Sequence, residues 1–253
     1  DANDAEAICE AMSRPNMRFV AVKSVAQQDI QATHRIRSDL MTQRTAKANQ
    51  IRGLVAEYGL VVLLTLRALR AAIPCWLEDA ENGLTDHFRS LLHGLWTDLT
   101  ALDDRMLELD RAINRLANDN EVTRRLQQLR GVGPMVATAL VATVGTAEHY
   151  RKGRQMAAAI GLTPRQHSSG DKHRLLGITK RGDVYLRTLL IHDARAVVSQ
   201  ATHKDDRLSR WVTSIAQRRH PNVAAVALAN KTARMAWAML RNETDYDPDF
   251  AMR

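Results

Sequence analysis

The stretch Phe88–Leu116, FRSLLHGLWTDLTALDDRMLELDRAINRL, decides the fold class. Its apolar residues Phe88, Leu92, Leu95, Leu99, Leu102, Met106, Leu109, Ile113 and Leu116 recur in alternating steps of four and three. That spacing is the a/d seam of a heptad repeat, held for about four heptads. A strand would alternate every two residues, so the pattern is helical. It predicts a coiled-coil hairpin, formed either within one chain or between two. The partner within one chain is a long helix over Val25–Tyr58, which contains no proline and carries Ile36, Leu40, Ile51, Leu54, Val55 and Tyr58 on its apolar side. Pro74 and Asn82-Gly83 are expected to break the chain between the two helices.

Upstream, DANDAEAICEAM reads as a helix start with Asp1 and Asp4 one turn apart on one face. Carboxylates at that spacing either share a divalent cation or favour the helix N-terminus through its dipole, and spacing alone leaves both open.

Downstream, Asn118-Asp119-Asn120 reads as a joint, because the charge balance reverses across it. There are 14 basic and 17 acidic residues before Glu121, net −3, and 22 basic and 11 acidic from Glu121 onward, net +11. The second half is therefore the polyanion-binding half, with nucleic acid the first candidate. It opens with LQQLRGVGPMVATALVATVG, a helix, a Gly131-Val132-Gly133-Pro134 turn and a second helix. This fits a helix-hairpin-helix at about 126–147, with Pro134 in the first turn of its second helix and glycine amides aimed at a phosphate. Such hairpins grip a duplex backbone without reading its sequence. The plainer alternative is a turn between two packed helices.

The chemistry concentrates in Gly161–Arg187, GLTPRQHSSGDKHRLLGITKRGDVYLR. Nine Lys or Arg lie between Arg151 and Arg187 against two acids, Asp171 and Asp183. Ser168 and Ser169 stand beside Gly170. A hydroxyl nucleophile among phosphate-binding cations is the equipment for phosphodiester chemistry. Ser169 is the leading nucleophile and Ser168 the runner-up. His167 and His173 flank them as candidate bases, although histidines in basic loops more often contact phosphate or solvent. Arg165, Lys172, Arg174, Lys180, Arg181 and Arg187 are the expected phosphate contacts, together with the Gly131 and Gly133 amides. Asp183 is placed to cap a following helix, and Asp205–Arg219 and Asn222–Arg241 read as two more. Strands are scarce throughout.

Several classes are excluded. Cys9 and Cys75 form neither a disulfide framework nor a zinc spacing, and a reducing cytoplasm is the expected compartment. No run reaches the roughly 18 apolar residues of a membrane helix. Aromatics are 4% of the chain, which weakens the case for a base-stacking single-strand binder. His34, His87, His93 and His149 are scattered and read as surface residues. There is no phosphate-binding P-loop, and Gly131-Val132-Gly133 lacks the rest of a dinucleotide fingerprint.

Together, DANDAEAI, LRGVGPMVATAL, RQMAAAIGLTPRQHSSGDKHRLLGITKRGDVYLRTLL and ARAV resemble the transposases of the bacterial insertion-sequence IS110 family, IS1111-like group. The resemblance covers essentially the whole chain and is most specific from Leu129 to Val198. It implies a DNA recombinase with a RuvC-like (RNase H-like) α/β domain bearing acids in the order D, E, D, D, then a coiled coil, then a transposase domain with an essential serine. Ser169, directly before the glycine, matches the nucleophile. Asp1 and Asp4 match the last two acids, which implies Mg²⁺ at that cluster. The first Asp, the Glu and their strands would then precede Asp1, making the chain N-terminally truncated and its acidic set incomplete. The resemblance further implies double-stranded DNA as substrate, a structured guide RNA as partner and a covalent serine-phosphate intermediate. A homo-oligomer, dimer or tetramer, would be needed for strand exchange.

The expected architecture is mostly α. Residues 1–20 form a remnant of the RuvC-like domain, 21–120 the helical coiled-coil region, and 121–253 the serine-bearing domain with the helix-hairpin-helix. The rival readings are a helix-hairpin-helix module that holds DNA without cutting it, and an inactive truncated copy.

Overall fold

The computed structural model describes residues 2–15, 17, 22–169, 172 and 174–248. Among them the chain is mostly helical, with a single two-stranded antiparallel sheet. Helix α1 (Ala2–Ser13) buries none of its residues. Helix α2 (Val25–Ala56) starts at a capping box in which Ser24 and Gln27 satisfy each other's backbone amides. It stops two residues short of Tyr58, where Gly59 turns the chain and the Leu60 amide returns to the Val55 carbonyl.

Helix α3 (Leu66–Glu78) runs through Pro74, contrary to the expected break. Proline removes one amide and crowds the carbonyl four residues back. Burial of Leu69 and Ile73 holds the helix together regardless. The break comes at the following turn, where Arg89 donates to the carbonyls of Trp76 and Leu77 and the Asn82 side chain bonds Trp76 and Leu84.

Helix α4 (Asp86–Asp119) carries the heptad pattern. Leu92, Leu99, Met106 and Ile113, seven residues apart, are buried, while the alternate row Leu95, Leu102, Leu109 and Leu116 is half-buried. Arg37 of α2 pairs with Asp110, Arg44 with Asp103 at 3.4 Å and Lys47 with Asp98 at 2.9 Å. Partner numbers fall as α2 numbers rise, so α2 and α4 run antiparallel within one chain. Pairs of this exposure contribute about 0–1 kcal/mol each and serve mainly to fix register. The apolar contacts carry the stability: Ala48, Ile51 and Val55 of α2 share one core with Leu69, Ile73, Phe88, Leu92 and Leu99.

Asn120 ends α4 and caps helix α5 (Glu121–Leu126), accepting from the amides of Val122 and Thr123. A second and larger core follows. It includes helix α6 (Pro134–Val144), with Pro134 in its first turn and seven of its 11 residues buried. Helix α6 packs on α5 and on helix α8 (Val184–Gln200), while helices α7 (Gly153–Ala159), α8 and α9 (Arg207–Arg218) gather on helix α10 (Pro221–Asn242). The sheet consists of β1 (Pro164–Gln166) and β2 (Leu175–Ile178), which interrupt the helices between α7 and α8.

The N-terminal half of α2 also packs on the second core. Gln27 donates to the Val141 carbonyl at 3.0 Å. His34, expected at the surface, is instead 3% exposed, with its ring nitrogens 2.9 Å from the Tyr185 hydroxyl and 2.9 Å from the Thr138 hydroxyl. The correction has a simple cause: His34 lies on the α2 face that covers α6, and two hydroxyls satisfy both ring nitrogens. Burial, helped by nearby Arg37, lowers its pKa to about 4. The unfolded imidazole takes its proton near pH 6.5 and the folded one only near pH 4, so acid favours the unfolded chain across that window. Stability from this group is complete above pH 6.5, and about 3 kcal/mol is lost as pH falls to 4. Denaturant titrations at stepped pH should show that loss in the parent protein and a flatter profile in His34→Gln.

Candidate functional site

The segment expected as a basic loop is a β-hairpin. Pro164 faces Ile178 and Gln166 faces Leu175 across the sheet. Backbone bonds extend the pairing in both directions. The Lys180 amide donates to the Gly161 carbonyl and Thr179 to Thr163 at the stem, and His167 donates to Arg174 near the tip. At the tip Ser169 and Lys172 form a bridge in which the Lys172 amide donates to the Ser169 carbonyl at 3.2 Å. Gly170, Asp171 and His173 lie outside the described residues, so the base assigned to His173 lies outside them too.

The stem is fixed by two glycines that let backbones touch. Gly182, at φ +76°, sits so close to α7 that an added Cβ would lie 1.7 Å from the Ala159 carbonyl oxygen. Gly161, at φ +79°, has the Arg181 oxygen 2.2 Å from its Cβ position. No residue with a side chain fits either place.

Arg187 closes this stem from inside. It is 6% exposed, and its guanidinium donates to the carbonyls of Ile160 and Arg181, each at 2.9 Å. Arg187, expected as a phosphate contact, thus turns its charge inward, where it partners two carbonyls at the stem. The other five cations behave differently. Arg165, Lys172, Arg174, Lys180 and Arg181 are all exposed, and among the described residues none pairs with a carboxylate.

The two serines also separate. The Ser168 hydroxyl is half-buried and accepts from the Arg174 amide at 3.2 Å, holding the tip together. Ser169 is exposed at the end of the hairpin. Their spacing in the chain gave no means of ranking them, whereas the hairpin gives each a different environment.

The turn between α5 and α6 carries the other expected contacts. Gly131 packs directly on α8: a Cβ there would lie 2.6 Å from Cγ2 of Val197. The Gly133 amide was expected to meet a phosphate, but the anion it faces is the Asp193 carboxylate of α8. Burial raises the Asp193 pKa, and the Gly133 amide works against that rise by favouring the ionised form. Asp193 thus lies beside the Gly133 amide, while Gly131 packs on Val197 of the same helix. Nearby, Arg130 reaches Asp206 and Ser209 at the start of α9. Burial works against ionisation of Asp206, but bonds from Ser209 and the charge of Arg130 outweigh it and lower the pKa to about 2.

Of the acidic pair, Asp1 lies outside the described residues. Asp4 is exposed on α1. Among the described residues no three Asp, Glu, His or Cys side chains converge as a metal site.

Residues 123–209, from α5 through the hairpin to the start of α9, match the domain described as Transposase IS116/IS110/IS902 family. A probable family 20 transposase of Pseudomonas aeruginosa is 49% identical over 249 residues, which span 98% of this chain and 74% of that protein. The chain belongs to the IS116/IS110/IS902 family of insertion-sequence transposases. The transposase for IS1111A of Coxiella burnetii is 44% identical over 97% of this chain and 68% of its own length. That for IS1328 of Yersinia enterocolitica is 36% identical over 96% and 72%. The family domain contains every hairpin residue named above. Among the described residues of this transposase no helix is long and apolar enough to cross a membrane.

Proposed function

We propose that this transposase breaks and rejoins double-stranded DNA through Ser169. The observation that carries the reading is the exposure of Ser169 at the end of a hairpin that bears five exposed cations, none of which pairs with a carboxylate among the described residues. The Ser169 Oγ attacks a backbone phosphorus, a phosphorus–oxygen bond to one DNA strand breaks, and that strand leaves as a free hydroxyl. The serine proton passes to water or a base, and the departing oxygen takes one up. A hydroxyl of the second duplex then attacks the serine phosphate and releases the enzyme. The guanidinium and ammonium groups hold the phosphate oxygens and offset the charge that builds on them. Ser168 is a positioning residue that orders the tip.

Asp1 and Asp4 are proposed as part of a Mg²⁺ site only. Mg²⁺ takes about six oxygen ligands. The described residues bring no third donor to Asp4, so no step is derived through the ion. A structured RNA as the source of target choice is likewise part of the proposal, as is an assembly of at least two protomers. The basic hairpin is suited to backbones, which carry no sequence information directly.

Binding of duplex DNA across a series of salt concentrations tests the placement. Replacing Arg165, Lys172 and Arg174 by Gln should flatten the slope of log affinity against log salt by about 3, one per lost phosphate contact. Ser169→Ala should leave that slope unchanged. An unaltered slope in the triple variant would remove the hairpin from the DNA interface.

A further inference from the structure

A second group of cations lies at the other end of α7. Lys152 and Arg154 at its start, and Lys231 and Arg234 on α10, line one open groove of about 910 Å³. Gly153 makes this convergence possible. It is buried against α10, where an added Cβ would stand 3.1 Å from the Arg234 carbonyl and 3.2 Å from the Trp237 ring. The floor is fastened by Trp237, whose Nε1 donates to the Tyr150 carbonyl at 2.9 Å. Lys231 lies over the Trp211 ring, 5.3 Å from its centre.

Among the described residues none of these four cations pairs with a carboxylate. The acids that line the same groove are Asp245 and Asp247 of the segment after α10. Asp245 is engaged by Gln128 at 3.0 Å and Arg125 at 3.7 Å. The four like charges outnumber the two carboxylates on the same lining and repel one another. Burial first, and then Arg234, lower the Lys231 pKa. A bound polyanion removes the repulsion.

We propose that this groove is a second phosphodiester-binding site, gripping the backbone of a nucleic acid apart from the Ser169 hairpin. The inference rests on the reading that the chain acts on nucleic acid. The hairpin leaves the C-terminal end of α7 and the groove opens at its N-terminal end. Seven residues of helix separate them, about 10 Å along the axis or roughly three base pairs of rise. That separation is a small part of the length of one double helix. Five cations at the hairpin and four in the groove also allow two different helices, DNA and structured RNA, to be held side by side.

The test is fluorescence anisotropy with a labelled 30-base-pair DNA duplex and, separately, an RNA duplex of the same length, each over a salt series. The double variant Arg154→Gln, Arg234→Gln should flatten the salt slope by about 2 on at least one of them. Lys152→Gln alone should flatten it by about 1. Both positions of the double variant are exposed, and relief of repulsion should leave its melting temperature unchanged or raised. Loss confined to one duplex identifies the helix that the groove holds, and loss on both identifies a general backbone grip. Unchanged slopes for both groove variants, with the hairpin triple variant weakened, would overturn the groove and spare the hairpin. A parent protein that binds neither duplex would overturn the nucleic-acid reading itself.

Discussion

Ser169→Ala should abolish strand transfer while leaving DNA binding and folding intact. The hydroxyl is the only group of that side chain able to attack phosphorus, and the loss of a nucleophile is not made up by its neighbours, so the expected fall in rate is on the order of 10³-fold or more. The residue is exposed, so stability should stay within about 0.5 kcal/mol of the parent. Ser168→Ala should behave differently. It removes the acceptor for the Arg174 amide, a bond contributing about 1 kcal/mol to order at the tip, and so should slow the reaction by roughly fivefold. A strand-transfer assay that compares the two variants at matched DNA occupancy decides between them. Equal loss from both would mean that the tip acts only as a scaffold.

Arg187→Met should damage the fold rather than DNA binding. Its guanidinium satisfies two carbonyls at the hairpin stem, one on each side of the crossing made by Gly161 and Gly182. Methionine keeps much of the length but leaves both oxygens unpartnered, at a cost of about 3 kcal/mol. For a chain of this size that lowers the melting temperature by roughly 10 °C. The salt slope of DNA binding should be unchanged at temperatures where the variant is folded. A stable variant with a slope flatter by about 1 would instead return Arg187 to the list of phosphate contacts.

The helical framework was legible because its signals are periodic and local. The steps of four and three in α4 and Pro134 after Gly133 each state a geometry within a few residues. The fate of Pro74 was not legible, because a burial gain made elsewhere in the core overrode a local rule. The same limit governs the cations. Arg187 and its exposed neighbours carry the same charge in one short stretch, and nothing in that stretch tells which one folds under the stem. The only hint is its place in the second turn of α8, beside the buried Leu186. His34 was misread for a related reason, since its partners Thr138 and Tyr185 are more than 100 residues away. The Asp193 carboxylate facing Gly133 is another contact of long range. The Ser169 hairpin itself is too short for an alternating pattern to register, although its serine and basic residues were legible by composition.

The most direct measurement is covalent trapping. The transposase would be mixed with end-labelled DNA spanning the element junction, Mg²⁺ and the element's non-coding RNA, then denatured and separated by size. The account predicts label travelling with the protein, lost in Ser169→Ala, retained in Ser168→Ala, and mapped by mass spectrometry to a phosphorylated Ser169. Label retained by Ser169→Ala, mapped to another residue, or absent while the DNA is cut would contradict it.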